Sequence, residues 1–308
     1  MKNFVKVIYE TGSITAAAQK LYITQPALSI SLRKLEKELG CELFYRGKNP
    51  LQLTEAGKIY LDAINKTENI KRQMKKKIFD LKSGNSGTVT IGAAHFITSY
   101  ILLKIIKLIE KDYPKIKVCL IEGNSYELRE MLKNGNIDIL LDYNMSDNEF
   151  EMIQLFRETV YLAVPNEIEC KDNICITRKE IIGNNNDFND NFNFKGICSK
   201  KFIIMKKGNN MNDIAYEIFN EYNIVPDNVF ETDQLVTAFE SAICALGMTF
   251  VTDKIIKQID DQGKIKYICL PQKFCHRHLY VIRNKNNYKS QAVKEFIQFM
   301  FSNIKEVN

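Results

Sequence analysis

Nowhere in these 308 residues does an apolar run approach the roughly 18 to 20 residues a helix needs to cross a bilayer. The opening MKNFVKVIYETGS lacks a signal peptide's apolar stretch and small-residue cleavage site, so a cytoplasmic protein is expected. Common catalytic motifs are missing too: there is no G-x-S-x-G elbow, no P-loop and no G-x-G-x-x-G turn. The three histidines and eight cysteines form no metal-spaced cluster, and no cofactor is expected. His276 and His278, with Cys275 beside them, read as strand residues exposed on one face. Cys170, Cys175 and Cys198 leave a redox pair open, but scattered cysteines without a secretory signal read as reduced thiols. These absences weigh against an enzyme, a secreted disulfide scaffold and a membrane protein.

What is present is an ordinary globular composition, 45% apolar and 26% charged, in a chain long enough for two or more domains. The charge is unevenly divided. Residues 1–82 carry a net +8, and the remainder carries −2. A basic first quarter joined to a nearly neutral body suits a nucleic-acid-binding module attached to a second function.

In that basic quarter, "GSITAAAQKLYITQPALSISLRKLEKELG" holds two helical runs separated by a tight turn. Ser13 reads as the cap of the first. Thr24 caps the second, with Gln25 and Pro26 in its first turn, where proline's missing amide costs nothing. Leu28, Leu32, Leu35 and Leu39 form a stripe for burial, and Gly40 ends the helix. At 100° per residue Gln25, Ser29 and Arg33 lie together, roughly 40° to 140° around from that stripe, on a face extended by Pro26 and Ile30. A solvated face would read the same way, but a short turn followed by a polar-faced helix is also a helix-turn-helix. Glutamine can pair with adenine, serine adapts to several base edges, and arginine suits guanine or phosphate. After it, "CELFYRGKNPLQLTEAG" reads as a hairpin. Leu43 and Phe44 anchor one strand, Leu51 and Leu53 the return, and Gly47-Lys48-Asn49-Pro50 the turn. This basic wing can place Arg46 or Lys48 on the DNA backbone or in the minor groove.

The string from Gly12 to Arg46, followed by "LTEAG", resembles the winged helix-turn-helix of LysR-type transcriptional regulators. The resemblance implies that Gln25, Pro26 and Ser29 approach bases and that Arg33 and Arg46 meet the backbone. The whole DNA-facing set is then Ser13, Thr24, Gln25, Pro26, Ser29, Ile30, Arg33, Lys34, Arg46 and Lys48. Ile30 stands where the family is often polar or basic, and would meet a thymine methyl. The abrupt start at Lys2-Asn3-Phe4 leaves a short first helix through Phe4, Val7 and Ile8, as a clipped chain would.

Thr54 caps a helix with no breaker between Lys58 and Lys82. Tyr60, Ile64, Thr67, Lys71, Met74, Ile78 and Leu81 space out as a coiled-coil seam, with Lys71 as its flaw and Ile70 as a substitute. LysR-type regulators dimerise through such a helix. "KRQMKKK" is a solvated face or adds long-range attraction to DNA, and "SGNSG" (83–87) is a flexible linker.

From Thr88 onward, strands and helices alternate: "TVTIGAA", a helix Ile97–Asp112, "KVCLIEG", a helix over 126–134, "IDILLDY". A second block runs from "VYLAVP" through "FIIMKKGNN", "VFETD" and "GMTFVTD" to "IKYICLP". A strand and a closing helix end the chain. Such alternation implies a parallel sheet, and two lobes joined by crossing strands make a clamshell. The order resembles the effector-binding domain of LysR-type regulators, itself similar to periplasmic solute-binding proteins.

The expected fold is therefore α/β: an N-terminal winged helix-turn-helix (1–57), a long linker helix and hinge (58–87), and a C-terminal two-lobed periplasmic-binding-protein-like α/β domain (88–308). Lobe I covers about 88–163 and 268–308, lobe II about 164–267, with crossings near 161–165 and 266–271. Asparagine-rich 184–194 reads as a surface loop. Ligands in such sheets gather at strand carboxyl ends and helix N-termini. The candidate effector contacts are His95, Thr98, Ser99, Asn124, Ser125, Asn209, Asn210, Thr232 and Asp233. As a group these favour a small anion or carboxylate, and each also reads as a helix cap. The leading expectation is a sequence-specific DNA-binding regulator. It would act as a homodimer or homotetramer on a dyad-symmetric operator, with a small-molecule effector and contact to RNA polymerase. An enzyme with an accessory winged domain and a ligand-blind architectural DNA protein are the alternatives.

Overall fold

The computed structural model describes residues 4–48, 50–83, 86–143, 148–171, 173–183, 188–190, 192–197 and 201–307. Asn49 of the expected wing turn, Cys198 and parts of the "SGNSG" and asparagine-rich segments fall outside them. The chain forms two compact units, Met1–Ile78 and Phe79–Asn308.

The first unit contains α1 (Phe4–Thr11), α2 (Ile14–Lys20), α3 (Gln25–Leu39) and the start of α4 (Glu55–Ser83). Both expected caps are in place: Ser13 Oγ accepts from the Ala16 amide and Thr24 Oγ1 from the Ala27 amide. The turn between α2 and α3 is closed by Tyr22 in left-handed backbone, φ 56°, while the Ile23 amide donates back to Ala18 O. That conformation is costly for any side chain but glycine or asparagine, yet Tyr22 is 96% exposed and is not held there by packing. Gly40 ends α3 with φ 71°. Leu28, Leu32 and Leu35 are buried among Val5, Ile8, Ala17 and Leu43. Fully burying one such leucine contributes roughly 1.5–3 kcal/mol.

Two expectations change here. Leu39 does not continue the buried stripe: it is 45% exposed, because α3 ends at Gly40 before the core can wrap around it. The wing also shrinks from two strands to one bridge, Phe44 opposite Leu53, with the Tyr45 amide donating to Gln52 O. Thr54 caps α4 through the Gly57 amide and donates from its own hydroxyl to Glu42 O. On α4 the expected seam is divided within one chain. Tyr60 and Ile64 pack into the core of the first unit. The apolar side chains left exposed on α4 include Ile70, Met74 and Leu81.

The second unit starts with β1 (Gly87–Ala93), α5 (His95–Ile97), a π-helical turn (Thr98–Leu102) and α6 (Leu103–Asp112). β2 (Ile116–Glu122), α7 (Ser125–Lys133) and β3 (Ile139–Tyr143) follow. β1 lies between β2 and β3, all parallel, as the alternation required. Helix formation begins at His95, two residues before the expected Ile97, and the turn that follows, Thr98–Leu102, widens to the π form.

The sixteen-residue β4 (Phe150–Pro165) then leaves the first lobe for the second. The second lobe holds β5 (Cys175–Ile176), α8 (Arg178–Ile182), β6 (Lys201–Met205), α9 (Asn210–Glu221) and β7 (Asn228–Thr232). It continues with α10 (Leu235–Ile243), β8 (Thr249–Thr252), α11 (Asp253–Gln258) and β9 (Ile265–Cys269). β10 (His276–Asn284) returns to the first lobe and α12 (Gln291–Val307) closes it. β6 and β7 are parallel, but β4 pairs antiparallel with β10 up to Thr159 and with β8 and β9 from Val160 onward. β6 and β7 form a two-stranded sheet of their own, and the eight-stranded sheet is mixed: β1 is parallel to β2 and β3, and its other pairs are antiparallel. Two apolar cores flank the crossing strands. One gathers Ile91, Ile105, Leu141 and Phe296, and the other Tyr161, Phe202, Phe239 and Tyr267.

Candidate functional site

Two surfaces bear the polar side chains singled out by the sequence, one in each unit. On the first, the face of α3 opposite its leucines is open. Gln25, Pro26, Ile30, Arg33 and Lys34 are exposed, with Ile30 at 65%. Ser29 is half-buried and accepts a hydrogen bond from Gln25 Nε2 at 3.0 Å. The pair is thus pre-oriented one turn apart, with the glutamine oxygen free to accept. Arg33 and Lys34 have no acidic partner among the described residues. Arg46 and Lys48 of the wing are held differently: Arg46 pairs with Glu42 at 2.8 Å. Lys48 donates to Gln52 and lies 5.3 Å from the Tyr45 ring centroid. Ser13 and Thr24 are occupied as caps, so what they offer a partner lies mainly in the helix N-termini that they define.

The second surface is a cleft between the lobes, at the carboxyl ends of β1, β2, β6 and β7. Its outer part encloses about 460 Å³, within the size range of small-ligand sites. His95, Asn124 and Ser125 line it from the first lobe, and Asn209 and Asp233 from the second. An inner chamber of about 40 Å³ continues from it between Ser125 and Asn210, with Phe96, Ile97, Met205 and Leu235 as apolar walls. Thr98, Ser99 and Thr232 line neither part. Thr98 is buried with its hydroxyl unpartnered among the described residues, Ser99 lies 3.5 Å from His95 Nε2, and Thr232 accepts from the Gln234 amide.

Most lining residues are already engaged. Asn124 and Asn209 cap α7 and α9. His95 Nδ1 lies 3.2 Å from Glu122, and Asp233 pairs with Lys206 at 2.7 Å. Ser125 donates to Asp142, a residue the sequence reading missed although a charge inside "ILLDY" is its own signal. Asp142 is buried and also accepts from Arg129 and from the Tyr143 amide. Burial raises its carboxyl above the usual carboxylate range, opposed by Arg129 and the Ser125 hydroxyl. Arg277, likewise missed, is buried at the chamber floor. Its Nε donates to Glu158 at 2.6 Å, its guanidinium carbon lies 3.7 Å from the Tyr143 ring centroid, and Tyr143 donates to Glu158. Four helix N-termini converge on the cleft, a field that favours negative charge. Among the described residues no group of three His, Cys, Asp or Glu side chains is placed to hold a metal.

Residues 2–58 match the lysR-family bacterial regulatory helix-turn-helix protein, and residues 82–182 and 190–304 match the LysR substrate binding domain. The chain belongs to the LysR family of transcriptional regulators. It is 30% identical over 305 residues to the HTH-type transcriptional regulator YybE of Bacillus subtilis (strain 168), covering 99% of this chain and 98% of that protein. Among solved structures, CbnR, a LysR family transcriptional regulator, aligns with TM-score 0.62 at 16% identity, over 100% of this chain and 99% of that one. CbnR in complex with its target DNA aligns with TM-score 0.61 at 16% identity, over 98% of both chains. As a LysR-type regulator the chain is a DNA-binding protein of transcription, and its relatives are regulators rather than enzymes. Among the described residues no helix is long and apolar enough to cross a membrane.

Proposed function

We propose that the chain reads a dyad-symmetric operator with the exposed face of α3 and is controlled by a small molecule in the interlobe cleft. The observation carrying the first half is that face itself: Gln25, Ile30 and Arg33 stand open, with Ser29 half-buried between them, while Leu28, Leu32 and Leu35 are buried. A helix entering the major groove needs this division. Gln25 and Ser29 would read base edges, Ile30 a thymine methyl, and Arg33 with Lys34 the phosphates. Arg46 and Lys48 would have to leave Glu42 and Gln52 to reach the backbone, which makes them the adjustable part of the interface. Residues 58–87 would act as linker and hinge, with the free stripe of α4 joining two copies. Pairs of dimers would then present their winged units to one operator, within reach of RNA polymerase.

The cleft reading is supported by its position at four strand ends and by walls drawn from both lobes. A ligand touching both lobes stabilises one lobe spacing over others, and it shifts the protein only through that difference in affinity. Selection of bound sequences from a randomised duplex pool, followed by gel shift, tests the operator half. A conserved inverted repeat is expected, and Gln25→Ala should relax its sequence preference. Recovery of sequences no different from the input pool would defeat the reading.

A further inference from the structure

We infer that the inner chamber holds the carboxylate of a small acid bearing a hydrogen-bond donor on its α carbon, an α-amino or α-hydroxy acid, with Arg277 as its anchor. The inference rests on the reading of this cleft as the effector site and names the ligand class. Arg277 is 6% exposed and lines both the inner chamber and a second cavity of about 260 Å³ behind it. A guanidinium has five N–H donors. Here Nε serves Glu158, and neither Nη group has an acceptor among the described residues. Their two parallel donors form the fork that fits a carboxylate bidentately. Glu158 keeps the arginine from being an uncompensated charge, yet it does not occupy that edge.

Asn210 lines the same two cavities, and its Oδ1 is buried without a partner among the described residues. A buried carbonyl in that condition favours a ligand that brings a donor. A plain carboxylate brings none, whereas an α-ammonium or α-hydroxyl does, one carbon from the group on Arg277. The chamber of about 40 Å³ has room for the acid group and its α carbon between Phe96, Ile97, Met205 and Leu235, and the rest of the ligand extends into the outer cleft of about 460 Å³. Arg277 lies on β10 and Asn210 on α9, so the two contacts join a crossing strand to the second lobe.

The test titrates the full-length chain calorimetrically with three series built on alanine, leucine and phenylalanine. Each series contains the amino acid, its α-hydroxy analogue, the acid without the α substituent and the amino acid amide. Binding of the amino or hydroxy acid of at least one series is expected. The unsubstituted acid and the amide should be weaker by about tenfold or more, and the two α substituents separate the two sources of the donor. Arg277→Lys keeps the charge and removes the fork, so it should lower acid affinity to the level of the amide. Asn210→Ala should erase the advantage of the α donor. Acids and amides that bind alike, or an Arg277→Lys chain that binds the acid unchanged, would overturn the proposal. So would silence from all three series. A protein that selects a dyad but ignores every probe loses only the ligand class, while failure to select any dyad defeats the regulator reading itself.

Discussion

At the scale of single residues, local chemistry and buried chemistry behaved differently. Ser13 and Thr24 were legible as caps because a cap involves only amides two or three positions ahead. Arg277 and Asp142 were not, since the partner of Arg277 comes from another strand and the side-chain partners of Asp142 from α7, and the meaning of both depends on burial. His276, on the same strand as Arg277, carries a pH consequence. Burial, with the charges of Arg157 and His278 behind it, holds its imidazole below the ordinary histidine range. The fold therefore favours the neutral ring. The unfolded chain takes up that proton first as pH falls through about 6.5, so the group's contribution is complete above that pH and is lost toward its lower folded value. His276→Asn should flatten the pH dependence of the unfolding midpoint between about pH 7 and 5. An identical slope in both proteins would show that another group titrates there.

At the scale of elements, the helices stood close to where their periodicity put them, and the misplacements have physical causes. The wing is a single bridge, Phe44 opposite Leu53, fastened at its base: the Thr54 amide donates to Leu43 O and the Thr54 hydroxyl to Glu42 O. That fastening makes Gly57 irreplaceable. A Cβ there would stand 2.1 Å from Leu43 O and 2.8 Å from Leu53 Cδ2. A backbone carbonyl cannot withdraw without moving the wing, so Gly57→Ala should destabilise the first unit by about 1–3 kcal/mol or more. Chemical denaturation followed by circular dichroism measures it. The stripe on α4 left open by the fold makes a second expectation. Ile70 and Met74 are 68% and 52% exposed. If this stripe joins two copies, Met74→Glu buries a charge at the seam and sedimentation should show a lighter species. A variant that sediments as the parent does would place the interface elsewhere.

At the scale of the whole molecule, the unequal charge of the two parts governs association with DNA. With +8 on residues 1–82 and −2 on the rest, attraction to phosphate belongs to the first unit and α4. Operator affinity should therefore fall steeply and linearly on a log–log plot against salt, by about 0.9 per phosphate contact. Arg33 has no acidic partner among the described residues to give up, so Arg33→Ala should reduce that slope by about one. Titrations at several potassium chloride concentrations read it directly, and a slope unchanged by the substitution would remove Arg33 from the phosphate contacts.

The amino-acid order alone determined the helices of the first unit, their caps, the basic quarter and the alternation of strands and helices. Each depends on neighbours within a few residues or on composition. Only the tertiary structure decided how much of the α4 seam is spent inside one chain, which strands cross, and what lies at the floor of the cleft. Arg277 and Glu158 are 119 positions apart. They meet because the antiparallel register of β4 and β10 sets Arg277 opposite Glu158. Register over such separations is fixed by the packing of both cores together, and no short stretch of sequence contains it.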